Sequence, residues 1–158
     1  MKRQVCIGLL VVLGALALMG FGVPLRTAAA QPPGVDVTAP NIISVSTDPS
    51  ILWPPNHKLR DVTVYADLAD DTDPMPDFRI ISVSSNEPET GEGTGNTAPD
   101  WVITGDHTVQ LRAERGGKGS GRVYTITIEA FDESGNTAQA TVTVSVPHDK
   151  GKKVGHNK

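Results

Sequence analysis

Cysteine is almost missing from this chain. Its 158 residues include one, Cys6, inside an apolar N-terminal run, so no internal disulfide can form and any fold rests on its core. Aromatic residues are scarce too: two tryptophans, two tyrosines and three phenylalanines. The four histidines, His57, His107, His148 and His156, are scattered, without the paired spacing of a zinc site. After the N-terminal run no stretch has a helical period. That removes the strand-turn-helix elbow that would expose a nucleophilic serine. It also removes the helix N-terminus that a phosphate loop needs, so the glycine-rich run Gly116–Gly121 reads as a flexible crossover between sheets. Lysine and arginine number 14 against 18 aspartates and glutamates, which argues against a nucleic-acid partner.

What is present begins with an address. Lys2 and Arg3 precede an apolar run from Val5 to Val23, and Ala28-Ala29-Ala30 stands before Gln31. Residues 1–30 therefore read as a secretory signal peptide, with an uncleaved membrane anchor as the alternative. The chain from Gln31 onward has eleven basic and eighteen acidic residues, a net charge of −7. Residues 31–40 read as a flexible lead-in and residues 149–158 as a disordered basic tail with four lysines. The expected location is secreted, either extracellular or at the cell surface.

Between them, residues 41–148 alternate. Arg122–Val146 does so twice around a turn, with Tyr124, Ile126, Ile128 and Ala130 on one face, then Ala138, Ala140, Val142, Val144 and Val146. Threonine, glutamate and serine dominate the positions between, the pattern of half-buried antiparallel strands. Asp132-Glu133-Ser134-Gly135-Asn136 supplies turn chemistry. Five further strands are expected at Ile42–Thr47, Leu59–Leu68, Phe78–Ser85, Trp101–Thr104 and His107–Glu114. Seven short strands without a helix predict an all-β, seven-stranded antiparallel immunoglobulin-like β-sandwich. Tyr124, near the start of the sixth strand, sits where such folds tie a corner with a tyrosine hydroxyl. In that topology one end gathers Asp36, Asp70, Asp71, Asp73, Asp77, Asp106, Asp132 and Asn136. The other gathers WPPNHK, the 86–99 loop and the glycine-rich run.

The segments WPPNHK, DDTDPMPDFRIISVSSNEP, APDWVITGD, LRAERGGKGSGRVYTI and EAFDESGNTAQATVTVSVP together resemble the bacterial Ig-like (HYR-like) modules of secreted and surface proteins, over Asp36 to His148. The resemblance implies a non-catalytic spacer, adhesion unit or accessory, whose partner is a surface protein or glycan. No catalytic residue and no cofactor is assigned. Asp70, Asp71, Asp73, Asp132 and Asn136 offer the oxygen ligands that Ca²⁺ prefers, though no EF-hand register fits them. Solvated turn residues are the plainer reading of the same set. Trp53, His57 and Trp101 are the ligand candidates. Both tryptophans are expected to cap the ends of the core, and an exposed one would stack on a sugar ring. Three functions follow: a binding or adhesion module, a Ca²⁺-dependent interaction module, and a carbohydrate-binding accessory to a polysaccharide-degrading system.

Overall fold

A computed structural model of the chain describes residues 34–90 and 97–149. The expected signal peptide and nearly all of the expected tail lie outside those residues. The described part is all-β. Strands β1 (Asn41–Asp48), β2 (Leu59–Ala69), β3 (Asp77–Ser85), β4 (Trp101–Gly105), β5 (Thr108–Arg112), β6 (Gly121–Phe131) and β7 (Thr137–Pro147) form two antiparallel sheets. Their orders are β1-β2-β5-β4 and β3-β6-β7. No helix occurs among the described residues.

Alternation decides what each sheet buries. Tyr124, Ile126, Ile128 and Ala130 of β6 and Val144 and Val146 of β7 are fully buried, facing Val62 and Val64 of β2 and Val109 and Leu111 of β5. All belong to one apolar cluster, so the sheets pack face to face as a β-sandwich. Burying each large aliphatic side chain contributes about 1.5–3 kcal/mol, which is what holds a chain without disulfides. The β6–β7 ladder is unbroken from Gly121 opposite Pro147 to Phe131 opposite Thr137. At its turn Gly135 adopts φ +87°, a conformation glycine reaches without steric cost.

Two expectations are corrected in detail. The fifth strand is shorter than His107–Glu114, because the chain beyond Arg112 leaves its ladder for the loop before β2. Ala113 N donates to the Lys58 carbonyl at 2.9 Å, and His57 N donates to the Ala113 carbonyl at 3.0 Å. The two tryptophans also part company. Trp101 packs against the core, edge-on to Tyr124 with ring centroids 6.3 Å apart. Trp53 stays 38% exposed.

The reason lies in three residues that change sheets. After β1, Ser50–Leu52 runs beside β7 in a parallel bridge, Ile51 with Ser145. Leu52 N donates to the Ser145 carbonyl at 2.8 Å, and Ser145 N to the Ser50 carbonyl at 3.0 Å. Extended backbone turns successive side chains to opposite sides. Leu52 therefore plugs the core at 2% exposure, while Ile51 and Trp53 face outward. Leu52→Ala is expected to destabilise the protein by about 2–5 kcal/mol, the usual range for emptying such a site. Urea unfolding, read as a lower midpoint at unchanged slope, checks this.

Candidate functional site

Two ends of the sandwich gather the titratable side chains. At the first, the chain approaching β1, the β2–β3 connection and the β6–β7 turn meet. Asp70 organises its own loop: its Oδ1 accepts from Thr72 N at 3.0 Å and Asp73 N at 2.9 Å. Asp73 in turn accepts from Met75 N and, across to the hairpin, from Glu133 N at 3.0 Å. Asp132 accepts from Asn136 N at 2.8 Å and from the Asn136 amide at 2.7 Å. Burial pushes the Asp132 carboxyl up, but hydrogen bonds from Asn136, Gly135 and Ser134 outweigh it and hold it below the ordinary range.

The result is a carboxylate trio. Asp36, Asp70 and Asp132 each place an oxygen within 4.8 Å of the others. The Asp70 Oδ2 atom is buried and has no hydrogen-bond partner. Of the five residues singled out from sequence, Asp70 and Asp132 join this trio. Asn136 adjoins it, donating to the Asp36 carbonyl at 3.3 Å. Asp73 is spent on backbone amides, and exposed Asp71 accepts from Thr72 and Thr38 hydroxyls at 3.2 and 3.5 Å. Asp36 was legible only as one acid among several placed at that end.

The opposite end is built on buried charge. Arg122 is wholly inaccessible, as are Asp100 and Glu114, and Arg112 is 8% exposed. Arg122 Nη1 is hydrogen-bonded to Asp100 Oδ2. It also donates to the Tyr124 hydroxyl at 3.2 Å, while Nη2 donates to the Pro88 carbonyl at 2.9 Å. The Tyr124 hydroxyl donates onward to the Arg112 carbonyl at 2.8 Å. Arg112 spans two loops, giving one N–H to the His57 carbonyl at 2.7 Å and two to the Pro99 carbonyl. Arg112 thus fastens two connections that share no ladder, and Arg122 ties the β3–β4 connection to β6.

Glu87 holds the glycine-rich crossover in place. Its carboxylate accepts from Gly116 N at 2.6 Å and lies 3.4 Å from Arg122 Nε. A Cβ on Gly119 would come within 3.0 Å of the same carboxylate. The run Gly116–Gly121 curls around an internal anion, so it is a fixed crossover.

His57, the third ligand candidate, sits in this framework. It has φ +61°, uncommon for a residue with a side chain. Its Nδ1 lies 2.9 Å from the buried Glu114 carboxylate, which the Thr97 hydroxyl also reaches at 3.3 Å. The site residues therefore separate: Trp101 is half-buried scaffold, His57 a loop anchor, and Trp53 alone presents a broad apolar face.

Comparison of the chain with family models, with curated proteins and with solved structures finds no match.

Desolvation and the Asp100 and Tyr124 hydrogen bonds act on Arg122 in opposite directions, and the hydrogen bonds win, so it stays charged. Removing one partner of such a pair leaves an uncompensated buried charge. Asp100→Asn is expected to cost about 3–5 kcal/mol in urea unfolding, and a loss under about 1 kcal/mol would contradict the assignment. Burial, only partly offset by Arg122, pushes the Tyr124 phenol up to about 12. Ionisation is easier in the unfolded chain, near pH 10. The neutral phenol's stabilisation is thus complete below about pH 10 and lost as pH rises toward 12. Tyr124→Phe is expected to start less stable and to lack that alkaline decline in denaturation curves.

Proposed function

We propose that this chain is an exported, non-catalytic Ig-like module that acts in binding or adhesion at or outside the cell surface. One observation carries the reading. With the strands lettered A to G in chain order, the sheets are A-B-E-D and C-F-G, the arrangement of the constant-type immunoglobulin sandwich. The Tyr124 hydroxyl, tied back to the Arg112 carbonyl from near the start of the sixth strand, supports it. Side-chain chemistry favours binding over hydrolysis. Among the described residues, histidine partners are carboxylates and carbonyls: Glu114 for His57, Asp77 and the Phe78 carbonyl for His107, the Gly117 carbonyl for His148. A nucleophilic mechanism needs a hydroxyl or thiol there.

The fold also suits the role. Sandwich loops presented at two ends and fixed by side chains keep their shape without a partner, which lowers the ordering cost of binding. Sedimentation with intact cells of the producing organism tests the reading. Saturable retention of the protein on cells is expected, and an unchanged supernatant concentration at every cell density would contradict it.

A second reading, Ca²⁺-dependent interaction, is favoured by the trio at the acidic end. Three carboxylates within 4.8 Å repel one another, and the buried Asp70 Oδ2 has given up water without gaining a donor. A hard divalent cation takes carboxylate oxygens in that geometry and removes both penalties. Asn136 and the Asp36 backbone stand beside the trio, already hydrogen-bonded to each other. Millimolar CaCl₂ is expected to raise the melting temperature, chelator to reverse the shift, and Asp36→Ala to abolish it. A melting temperature indifferent to calcium would sink this reading and leave the first untouched.

A further inference from the structure

Arg60 departs from the pattern of its strand. Alternation places it on the face of β2 that carries Val62 and Val64, which are 0% and 1% exposed. Its register partner on β5 is Leu111, also fully buried. A cation at the end of a core-facing row is either paired inside the protein or reaches water. Arg122, at the corresponding end of the β6 row, is paired with Asp100. Arg60 is exposed, and among the described residues nothing pairs with its guanidinium.

Arg60 lines a groove of about 500 Å³ together with Pro49, Ile51, Trp53, Leu59 and Asp61. Trp53 and Ile51 are 38% and 56% exposed, so flat apolar surface stands beside an unpaired cation. The groove's own carboxylate is engaged elsewhere: Asp61 accepts from the Gln110 amide at 2.8 Å. The wall that carries Trp53 is fixed on both sides. Ser50–Leu52 is hydrogen-bonded to β7, and the segment after Trp53 is pinned at His57 by Arg112 and Glu114.

We propose that this groove binds an acidic polysaccharide, taking a uronic acid unit with its ring against the Trp53 indole and its carboxylate on Arg60. The inference rests on the binding-module reading and names its site and ligand class. A pyranose ring has one face of C–H groups, which an exposed indole covers, and a rim of hydroxyls. A uronic acid adds a carboxylate whose planar geometry a guanidinium matches with two parallel hydrogen bonds. The groove's volume lies within the range of small-ligand sites, about 300–1,000 Å³. An acidic peptide would satisfy Arg60 and leave the indole face in water. A neutral glucan would cover the indole and leave the cation unpaired.

Tryptophan fluorescence of the purified protein, titrated with polygalacturonate, a neutral glucan and polyglutamate, tests this. Saturable binding to polygalacturonate is expected, at least about tenfold tighter than to either control. Arg60→Ala is expected to weaken it about tenfold, and Arg60→Lys to recover part of the loss. Trp53→Ala, followed by calorimetry because its reporter is gone, is expected to abolish it. Equal affinity for the neutral glucan, equal affinity for polyglutamate, or an Arg60→Ala protein that binds as before would each overturn the proposal. So would no response to any of the three polymers. That last result leaves the cell-sedimentation test of the binding module to stand on its own. Arg60 is solvent-exposed, so its variants are expected to keep the parent melting temperature, which is measured alongside.

Discussion

A guanidinium with no access to water sits at the foot of β6, and one whole end of the sandwich depends on it. Arg122 reaches Asp100 and Pro88 in the β3–β4 connection, Glu87 inside the curled glycine run, and Tyr124 on its own strand. A buried ion pair seldom adds net stability over a well-packed apolar pair, since desolvating two charges cancels most of the attraction. What it adds here is direction. Apolar contacts would let these loops settle in many ways, whereas hydrogen bonds to named carbonyls and carboxylates specify one. Without disulfides, that specification comes from Arg122 together with Arg112, which lies 3.5 Å from Asp100, and the His57–Glu114 contact.

Arg112 completes the arrangement from the facing sheet. Its bonds to the His57 and Pro99 carbonyls tie the loop before β2 to the residues that lead into β4. Tyr124 joins the two arginines, receiving from Arg122 and giving to the Arg112 carbonyl. The exposed groove at Trp53 and Arg60 is therefore carried on a loop that buried charge immobilises. The acidic end differs in kind. Its carboxylates mostly accept from nearby backbone amides within turns, and among the described residues the Asp36–Asp70–Asp132 trio brings three carboxylates to close quarters.

The strands were legible because period-two alternation is strong: all seven expected segments are strands, with ends shifted by at most two residues. Of the acidic residues expected at one end, Asp36, Asp70 and Asp132 come within 4.8 Å of one another. The charge network is not legible from alternation alone, although one signal for it exists. Arg122 has the same parity as Tyr124, Ile126 and Ile128, so alternation alone puts it on the core face. Arg60 shares parity with Val62 and Val64 in the same way. A charged residue at a core-facing position marks either a buried partner or an opening, and sequence cannot say which. Asp100 and Glu87, the partners, come from a connection whose path no periodicity encodes. The outward turn of Trp53 was equally hidden, because it follows from Ser50–Leu52 pairing with β7.

Amide hydrogen exchange, followed residue by residue in the protein at neutral pH, tests most directly that buried charge holds this end rigid. The amides of Leu52, His57, Asn86, Arg112 and Ala113 each donate to a backbone carbonyl across a connection. Their protection is predicted to approach that of Ile126 and Ile128 in the centre of β6, with all of them opening only when the domain unfolds. Exchange of these five amides at rates near those of an unstructured chain, with the β6 centre still protected, would contradict it.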